Sequence, residues 1–406
     1  MSALATARSR SSIELDLRHP EAHPELVESL ASLLRGASAP LLIAGYGAVL
    51  AGAGGALLRL ANALPRLRFC ATARAKGAFP ERHPAYLGVL GFAGHDSVRR
   101  ALFDEADWVI VIGSRLGEMT SDNWDPRWHT LNLIRIDIDV HAPRTQHGSY
   151  LYVQGDARRI LEQLADSLGS HERGSIELPT AASAPLDAVG ILNPKSTMLT
   201  LNETLSDQCH VFCGIGNTMA WAIHYFTRNL PNRWHLNLSS GAMGHALPAA
   251  IGASLLGSPT LVMLGDAEFL MTGFELHTAV EGELQVIVVV LNDQGHGMVR
   301  IGSSVHCPDG GLDSEFHRPV RLVDAAVAMG ASAVSVRAVS ELKQELHKAL
   351  QRKGPTLIEI PITKTCIPPL GARLSALSQA FGMSITGGVD HARSQRVSAS
   401  RDPDLG

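Results

Sequence analysis

The sequence lacks an excess of charge and any hydrophobic stretch long enough to cross a membrane. Charged residues make up 18% of its 406 residues and the net charge is -4, so there is no basic field of the kind that attracts nucleic acid. The longest apolar runs, such as residues 286–291, have the length of a strand and fall far short of a membrane span. These absences argue against both nucleic-acid and membrane partners.

Cysteine is scarce and follows no pattern. The five cysteines are an odd number without a Cys-x-x-Cys pair, which argues against a disulfide framework or a zinc knuckle. Cys209 and Cys213 lie four apart on a predicted strand, where buried packing explains them better than metal ligation. Residues 1–10 contain two arginines but no apolar segment follows, so we expect no secretory signal. We therefore expect a cytoplasmic protein in a reducing compartment.

Short apolar runs alternate with longer amphipathic stretches along the chain. Hydrophobic residues reach 45%, and this alternation is typical of an α/β fold in which helices cover both faces of an open, mostly parallel sheet. Two such blocks are visible. In the first, the predicted strands are 40–44, 108–112 and 133–138, and the predicted helices are 51–64 and 156–168. In the second, the predicted strands are 210–213, 234–238, 260–264, 286–291, 333–336 and 356–360, and the predicted helices are 197–206, 218–226, 243–256, 269–280, 322–329 and 340–351.

The two blocks and their flanks predict five segments. Residues 1–22 are an N-terminal extension, and residues 23–170 form a middle, Rossmann-like domain. A region rich in Gly, Ser, Pro and Ala at 171–194 reads as a linker, because it has little hydrophobic periodicity. Residues 195–370 form the second domain, and the Ser-, Gly- and Arg-rich residues 371–406 form a flexible tail.

Two acidic motifs follow consecutive predicted strands of the second domain. Gly265-Asp266-Ala267-Glu268 follows one apolar run, and Leu291-Asn292-Asp293 ends the next. The carboxyl ends of parallel strands meet at one edge of a sheet, so Asp266 and Asp293 are expected to lie close together. Taken singly, Asp266 reads as a helix N-cap and Asn292-Asp293 as a turn. Jointly they predict a magnesium site for a bound diphosphate, because magnesium prefers oxygen ligands and keeps phosphate and water in its shell.

Two glycine-rich turns precede these motifs. Residues 214–218 (Gly-Ile-Gly-Asn-Thr) lead from a predicted strand into a helix containing Trp221, and backbone N–H groups at such a helix start can hold phosphate oxygens. Residues 239–253 join the next strand to a helix rich in small residues, which lets backbones approach closely. Both turns fall at the carboxyl edge predicted for the acidic motifs.

In this order, the motifs resemble thiamine diphosphate-dependent enzymes of the acetolactate synthase and benzoylformate decarboxylase superfamily. Segments 72–84, 107–116 and 136–139 look like parts of the middle domain of that family. The resemblance implies thiamine diphosphate and Mg²⁺ as cofactors, with the metal held by the side chains of Asp266 and Asp293 and the carbonyl of Gly295. The cofactor-binding residues that it implies are Gly216, Asn217, Thr218, Gly241, Met243, Asp266, Ala267, Glu268, Asp293, Gly295, His296, Gly297 and Met298.

The resemblance implies two residues near the chemistry. Met243 matches the bulky apolar residue that holds the cofactor bent, although a core methionine packing a glycine-rich turn is the alternative. His296 falls in a segment similar to the loop over the thiazolium ring, where it would donate a proton or contact substrate. The alternative for His296 is a solvated histidine on a polar loop.

Two residues of the second domain depart from the family pattern. Asp293 stands where many relatives carry asparagine and Glu268 where serine is common, and extra negative charge near a diphosphate costs binding unless it is compensated. Gly45-Tyr46-Gly47 resembles a dinucleotide turn, but Leu50 stands where the third glycine would be, so we expect the middle domain to hold no FAD.

The resemblance covers the middle and diphosphate-binding domains but not the N-terminal pyrimidine-binding domain, which carries the activating glutamate in that family. We therefore expect a split 2-oxoacid decarboxylase or carboligase, acetolactate synthase-like, in which a separate pyrimidine-domain subunit supplies the glutamate. A homodimer of this chain, or a heterotetramer with that partner, is the expected assembly. The alternatives are a catalytically inactive thiamine diphosphate-binding regulatory or scaffold protein and a truncated homologue.

Overall fold

The computed structural model describes residues 23–139, 150–169, 192–306 and 312–370. These residues form two six-stranded sheets, and all paired strands in both sheets run parallel. The predicted α/β class with two open parallel sheets is confirmed. The N-terminal extension, the linker up to residue 191 and the tail from 371 lie outside the described residues, and the predictions for them stay predictions.

The first sheet has the strand order β3-β2-β1-β4-β5-β6, which is that of dinucleotide-binding folds. Its strands are β1 (Leu41–Ala44), β2 (Arg68–Thr72), β3 (Tyr86–Leu90), β4 (Val109–Ile112), β5 (Leu133–Asp137) and β6 (Tyr150–Gln154). Its helices are α1 (Pro24–Gly36), α2 (Tyr46–Leu50), α3 (Gly54–Ala63), α4 (Asp96–Arg100) and α5 (Ala157–Ser167). Successive strand residues point to opposite faces, so Leu42 packs against α1, α3 and α5 while Ile43 packs against α4.

The second sheet has the order β11-β12-β10-β9-β7-β8. Its strands are β7 (His210–Cys213), β8 (Trp234–Leu236), β9 (Thr260–Gly265), β10 (Val286–Asn292), β11 (Ser332–Ser335) and β12 (Thr356–Pro361). Its helices are α6 (Pro194–Thr204), α7 (Asn217–Tyr225), α8 (Ala246–Ser254), α9 (Asp266–Thr272), α10 (Leu276–Glu281), α11 (Gly297–His306), α12 (Leu322–Ala328) and α13 (Val339–Gln351). One face packs against α6, α7 and α13, and the other against α8, α10 and α12. Cys209 and Cys213 are buried in the first of these cores, as expected.

The sequence prediction missed three strands of the first sheet. β2 begins with the exposed Arg68, β3 carries Gly88 in its interior, and β6 lies at a sheet edge. None of them presents the continuous apolar run that marks a strand buried on both faces. The sequence analysis also identified neither α1 nor α11.

Three helices of the second domain begin three residues away from their predicted starts. α6 begins at Pro194 rather than at residue 197. α8 begins at Ala246 rather than at residue 243, because Gly244 takes a left-handed φ of 84° that ends the turn before it. The predicted helix 269–280 begins earlier, at Asp266, and a 3₁₀ turn at Gly273–Glu275 divides it into α9 and α10.

A buried ion pair joins the middle domain to the second domain, and we call it, with its backbone partners, the interdomain clasp. Lys76 and Glu81 lie on the loop after β2, each with a side chain 2% exposed, and Lys76 Nζ is 2.8 Å from Glu81 Oε2. Lys76 also donates to the carbonyl of Ile223 at 3.1 Å, and Glu81 Oε2 accepts the N–H of Arg228 at 3.1 Å. Both Ile223 and Arg228 belong to the second domain, so the clasp connects this loop to the end of α7.

Candidate active site

The predicted diphosphate residues meet in one pocket at the carboxyl ends of β7, β9 and β10. β7 has β8 on one side and β9 on the other, so the strand order reverses here, at the point where open parallel sheets bind ligands. The predicted residues that line the pocket are Gly216, Asn217, Thr218, Met243, Asp266, Ala267, Glu268, Asp293, Gly295, His296, Gly297 and Met298. Gly241 is not among the lining residues and is exposed on the turn before α8.

The turn from β7 into α7 presents polar atoms that no other described residue satisfies. Gly216 has a φ of 130°, which an L-residue rarely adopts, and this conformation starts α7 at the rim of the pocket. Asn217 Oδ1 and Trp221 Nε1 are buried, and neither has a hydrogen-bond partner within the described residues. Both residues line the pocket. Buried polar atoms without partners are costly, so this wall is suited to a polar ligand.

The two acidic motifs lie side by side as predicted. Gly265 is paired with Leu291 in the sheet, which brings Asp266 and Asp293 to neighbouring strand ends. Asp266 is 2% exposed, and its two carboxylate oxygens accept the N–H groups of Ala267 and Gly295, each at 3.0 Å. Burial, and secondly the charge of Asp293, raises the pKa of Asp266 to about 6. Two close carboxylates that raise a pKa in this way are suited to a shared cation.

The backbone directly after Asp293 is held in an uncommon conformation. Gln294 has a φ of 56°, and its side-chain Oε1 accepts the N–H of Val320 at 2.8 Å. The next residue, Gly295, pairs with Glu315 in an isolated antiparallel bridge. These contacts fix the direction of the Gly295 peptide next to Asp266.

Glu268 makes contacts that the sequence did not indicate. It lines the pocket, but its oxygens accept the N–H of Ile215 at 2.7 Å and that of Gly244 at 2.8 Å, so the carboxylate joins the two glycine-rich turns. A Cβ on Gly214 would lie 2.0 Å from Glu268 Oε2, which explains the glycine there. Burial raises the pKa of Glu268 to about 7. The extra charge therefore serves the turns rather than opposing a diphosphate.

Glu268→Gln is expected to lower the free energy of unfolding by about 1–3 kcal/mol, because the amide leaves one turn N–H without an acceptor. It is also expected to change the pH dependence. A pKa raised by folding gives stability that is full below the unfolded value of 4.5 and is lost as the pH rises through about 7. Urea denaturation between about pH 5 and pH 8 would measure this loss in the wild type. An equal loss in the variant would contradict the assignment to Glu268.

The remaining predicted residues occupy the open side of the pocket. Met243 is half-buried in the turn before α8, and Gly297 and Met298 begin α11. His296 is exposed, and its ring makes an edge-to-face contact with Phe316 at 5.4 Å between centroids. The structure thus brings both catalytic candidates to this pocket, on opposite sides of the acidic motifs in sequence.

Several pocket residues were not predicted from the sequence. The apolar ones are Ile215, Leu291, Val299 and Ile362. Arg300, which does not line the pocket but contacts it, was missed as well, and a side-chain nitrogen of this residue pairs with Asp293 Oδ2. The segment containing Arg300 was taken for a loop, whereas α11 places the guanidinium next to a carboxylate seven residues earlier.

The glycines of the middle-domain turn are explained by packing. A Cβ on Gly45 would lie 2.3 Å from the carbonyl oxygen of Gly113, and one on Gly47 would lie 2.7 Å from its Cα. The turn after β1 therefore needs glycine to approach β4, whether or not a nucleotide binds. That the middle domain holds no FAD remains a prediction.

Two further searches concern the described part of the chain. No helix there is both long enough and apolar enough to span a bilayer. No group of three or more His, Cys, Asp or Glu side chains there is arranged to hold a metal ion by itself.

Comparisons with known proteins agree with this geometry. Residues 27–164 match the family model described as "Thiamine pyrophosphate enzyme, central domain". Residues 214–360 match the model described as "Thiamine pyrophosphate enzyme, C-terminal TPP binding domain". The first match covers the whole first sheet. The second begins directly after β7, covers the other strands of the second sheet up to residue 360, and contains the whole candidate pocket except Ile362.

Similar proteins include acetolactate synthases. The chain is 27% identical over 380 residues to the probable acetolactate synthase large subunit of Methanocaldococcus jannaschii, a match that covers 88% of this chain and 64% of the relative. It is 25% identical over 358 residues to acetolactate synthase isozyme 1 large subunit of Escherichia coli, covering 84% of this chain and 62% of that protein. The chain therefore spans less than two thirds of the length of these relatives.

A solved structure supports the fold. The crystal structure of benzoylformate decarboxylase from Polynucleobacter necessarius superimposes with a TM-score of 0.71 at 21% sequence identity, over 86% of this chain and 66% of that one. Together with the two family matches, this places both sheets in one known architecture. The chain belongs to the thiamine pyrophosphate enzymes, and it carries the central domain and the C-terminal, cofactor-binding domain of that family.

Proposed function

We propose that this chain is the diphosphate-binding subunit of a split thiamine diphosphate- and Mg²⁺-dependent enzyme that acts on 2-oxoacids as a decarboxylase or carboligase. The observation that carries the proposal is the pocket itself, where Asp266 and Asp293 share the lining with two residues of α7, Asn217 and Trp221, whose buried polar atoms lack partners within the described residues. The names of the relatives favour an acetolactate-forming reaction. A separate pyrimidine-domain subunit supplies the activating glutamate.

The residues present fit the cofactor. Asp266 and Asp293 would hold the metal together with the carbonyl of Gly295, and residues 216–218 with Ala267 would contact the diphosphate. Asn217 Oδ1 and Trp221 Nε1 are the atoms that lack partners among the described residues, so they are available to the ligand or its waters. When bound, the cofactor supplies an electron sink for cleavage of the bond next to the carbonyl carbon of a 2-oxoacid.

The chain's own residues orient the reacting ring and exclude water from it. Met243 lies on the turn before α8, where its side chain can hold the cofactor in a bent conformation. His296 lies on the exposed side of the pocket, where a substrate would enter, and is placed to contact it. Gly297 and Met298, at the start of α11, line the pocket next to His296 in sequence.

An apolar face next to the pocket supports a partner. α9 starts at Asp266, and farther along this helix Leu270 and Met271 are 46% and 59% exposed. Phe274, on the following 3₁₀ turn, is 82% exposed. Adjacent exposed apolar side chains of this size commonly mark an interaction surface. We propose that the pyrimidine-domain subunit covers this face, in an assembly built on a homodimer of the present chain.

Affinity capture of the chain from its native cells, in magnesium and thiamine diphosphate, is expected to recover a stoichiometric partner of pyrimidine-domain size. Phe274→Asp should abolish recovery of this partner, whereas Val327→Asp, which changes an exposed valine on α12, should leave it unchanged. The reconstituted pair should then release CO₂ from 2-oxoacids such as pyruvate.

The outcomes separate the alternatives. Cofactor binding with no partner and no CO₂ release would indicate an inactive binding protein or a truncated homologue. A partner that is recovered equally by the Phe274→Asp variant would place the interface elsewhere. Absence of cofactor binding under all conditions would contradict the proposed function.

A further inference from the structure

Arg300 links Asp293, in the candidate metal site, to Glu315, an acidic residue outside that site. One guanidinium nitrogen pairs with Asp293 Oδ2, and another is 3.0 Å from Glu315 Oε1. The second oxygen of Glu315 pairs with Lys364. Asp293 and Arg300 are 11% and 20% exposed, so water screens their interaction less than that of a surface pair. Arg300 is therefore held on one side of Asp293 by a network of charges.

This position bears on the charge of the site. Asp266, Asp293 and a diphosphate would gather negative charge around one divalent cation, and Asp293 adds a charge that an asparagine at the same place would not. The guanidinium of Arg300 pairs with Oδ2 of Asp293 and offsets the negative charge there. The other carboxylate oxygen, Oδ1, is not part of this pair. Glycine at 297 makes room for this arrangement, since a Cβ there would lie 2.4 Å from Asp293 Oδ2.

We propose that Arg300 is a positioning residue that neutralises Asp293, so that the aspartate presents one oxygen to the metal as an asparagine would. The inference rests on the proposed function, because it concerns binding of the metal–diphosphate group. The effect of Arg300 on cofactor binding passes through Asp293. Replacing Arg300 should therefore weaken cofactor binding when residue 293 is charged, and should leave binding unchanged when residue 293 is neutral.

A direct contact between Arg300 and the diphosphate makes the opposite prediction. Two guanidinium nitrogens are already bound to Asp293 and Glu315, and the third, Nε, is buried without a partner among the described residues. If the arginine instead turned to hold a phosphate oxygen, its removal would weaken binding whatever residue stood at 293. The two arrangements are therefore separable by a double-mutant cycle.

The test is a fluorescence titration of the full chain with thiamine diphosphate at saturating Mg²⁺. Trp221 lines the pocket and reports occupancy, and a Trp221→Phe variant identifies its share of the signal among the five tryptophans. The cycle comprises the wild type, Arg300→Gln, Asp293→Asn and the double variant. Inorganic pyrophosphate, as a second probe, isolates the diphosphate part of the cofactor.

Arg300→Gln is expected to weaken binding about tenfold, because an uncompensated carboxylate then faces the diphosphate. Asp293→Asn supplies the neutral background, and its own affinity is the reference for the second arginine substitution. In the double variant the loss should shrink to about twofold or less. Arg300→Lys retains the charge and should bind within about threefold of the wild type, which also controls for a folding defect in the glutamine variant.

Two results would overturn the inference. Arg300→Gln could weaken binding equally in both backgrounds, which would mean a direct or purely structural role, or it could have no effect in either. A wild-type chain that gives no response to thiamine diphosphate or pyrophosphate would instead overturn the proposed function, and the inference with it.

Discussion

Lys76→Met is expected to lower the free energy of unfolding by about 3–5 kcal/mol, because it leaves the carboxylate of Glu81 buried without its counter-ion. Both side chains are 2% exposed, so water cannot replace the lost ammonium group without opening the interdomain clasp. The backbone bonds of Glu81 to Gly77 and Arg228 remain, but they do not compensate a full charge. Urea denaturation followed by circular dichroism would measure the loss.

A surface ion pair supplies the matched control for this prediction. Lys343 Nζ lies 2.8 Å from Glu203 Oε2, but the side chains of these residues are 41% and 29% exposed. Lys343→Met should therefore cost only about 0–1 kcal/mol. The double variant Lys76→Met/Glu81→Gln should recover part of the lost stability, because no buried charge remains. Equal effects of the two lysine substitutions would show that the clasp contributes no more than a surface contact.

Asp266→Asn is expected to weaken Mg²⁺-dependent binding of thiamine diphosphate by about 100-fold or more, since even residues that only support a metal ligand are worth about 10–100-fold. The substitution removes a negative charge, and it turns an amide NH₂ group toward the N–H of Ala267 or of Gly295. Asp324→Asn, on the exposed surface of α12, should leave binding unchanged. Isothermal titration calorimetry in magnesium would measure both.

The pH dependence of thiamine diphosphate binding tests whether Asp266 is a metal ligand. The pKa of Asp266 is raised to about 6, so protons compete with the metal as the pH falls through this value, and affinity should decline between about pH 7 and pH 5. Above this range the carboxylate is ionised and the affinity should level off. Asp266→Asn should remove the dependence. A wild-type affinity that stays constant down to pH 5 would contradict the assignment of Asp266 as a metal ligand.

Residues 260–265 and 286–292 show how much of the site a sequence can predict. Both strands are central and buried on both faces, so each appears as an unbroken apolar run that ends in a polar motif. Because parallel strands share one carboxyl edge, the proximity of Asp266 and Asp293 followed without any knowledge of distances. Nearly all of the residues predicted for the site therefore line the pocket.

The contacts of Glu268 and Arg300 could not be predicted from strand patterns in this way. Glu268 binds the N–H of Ile215, 53 residues earlier, and this contact depends on how closely two turns approach in space. Arg300 reaches Asp293 only because α11 begins at Gly297, in a stretch whose glycines gave no helical signal. Strand β3, with glycine in its interior, was missed for a related reason, since local propensity there is overridden by pairing with β2.

The short helix α7 is held near both ends by charged side chains that lie outside it. At its start, Glu268 binds the backbone of the preceding turn, and at its end the clasp formed by Lys76 and Glu81 grips the carbonyl of Ile223 and the N–H of Arg228. Little conformational entropy is then left for a ligand to remove from this wall of the pocket. If the first turn of α7 holds the diphosphate as proposed, the middle domain, although remote from the acidic motifs, would contribute to affinity by holding this helix in place before anything binds.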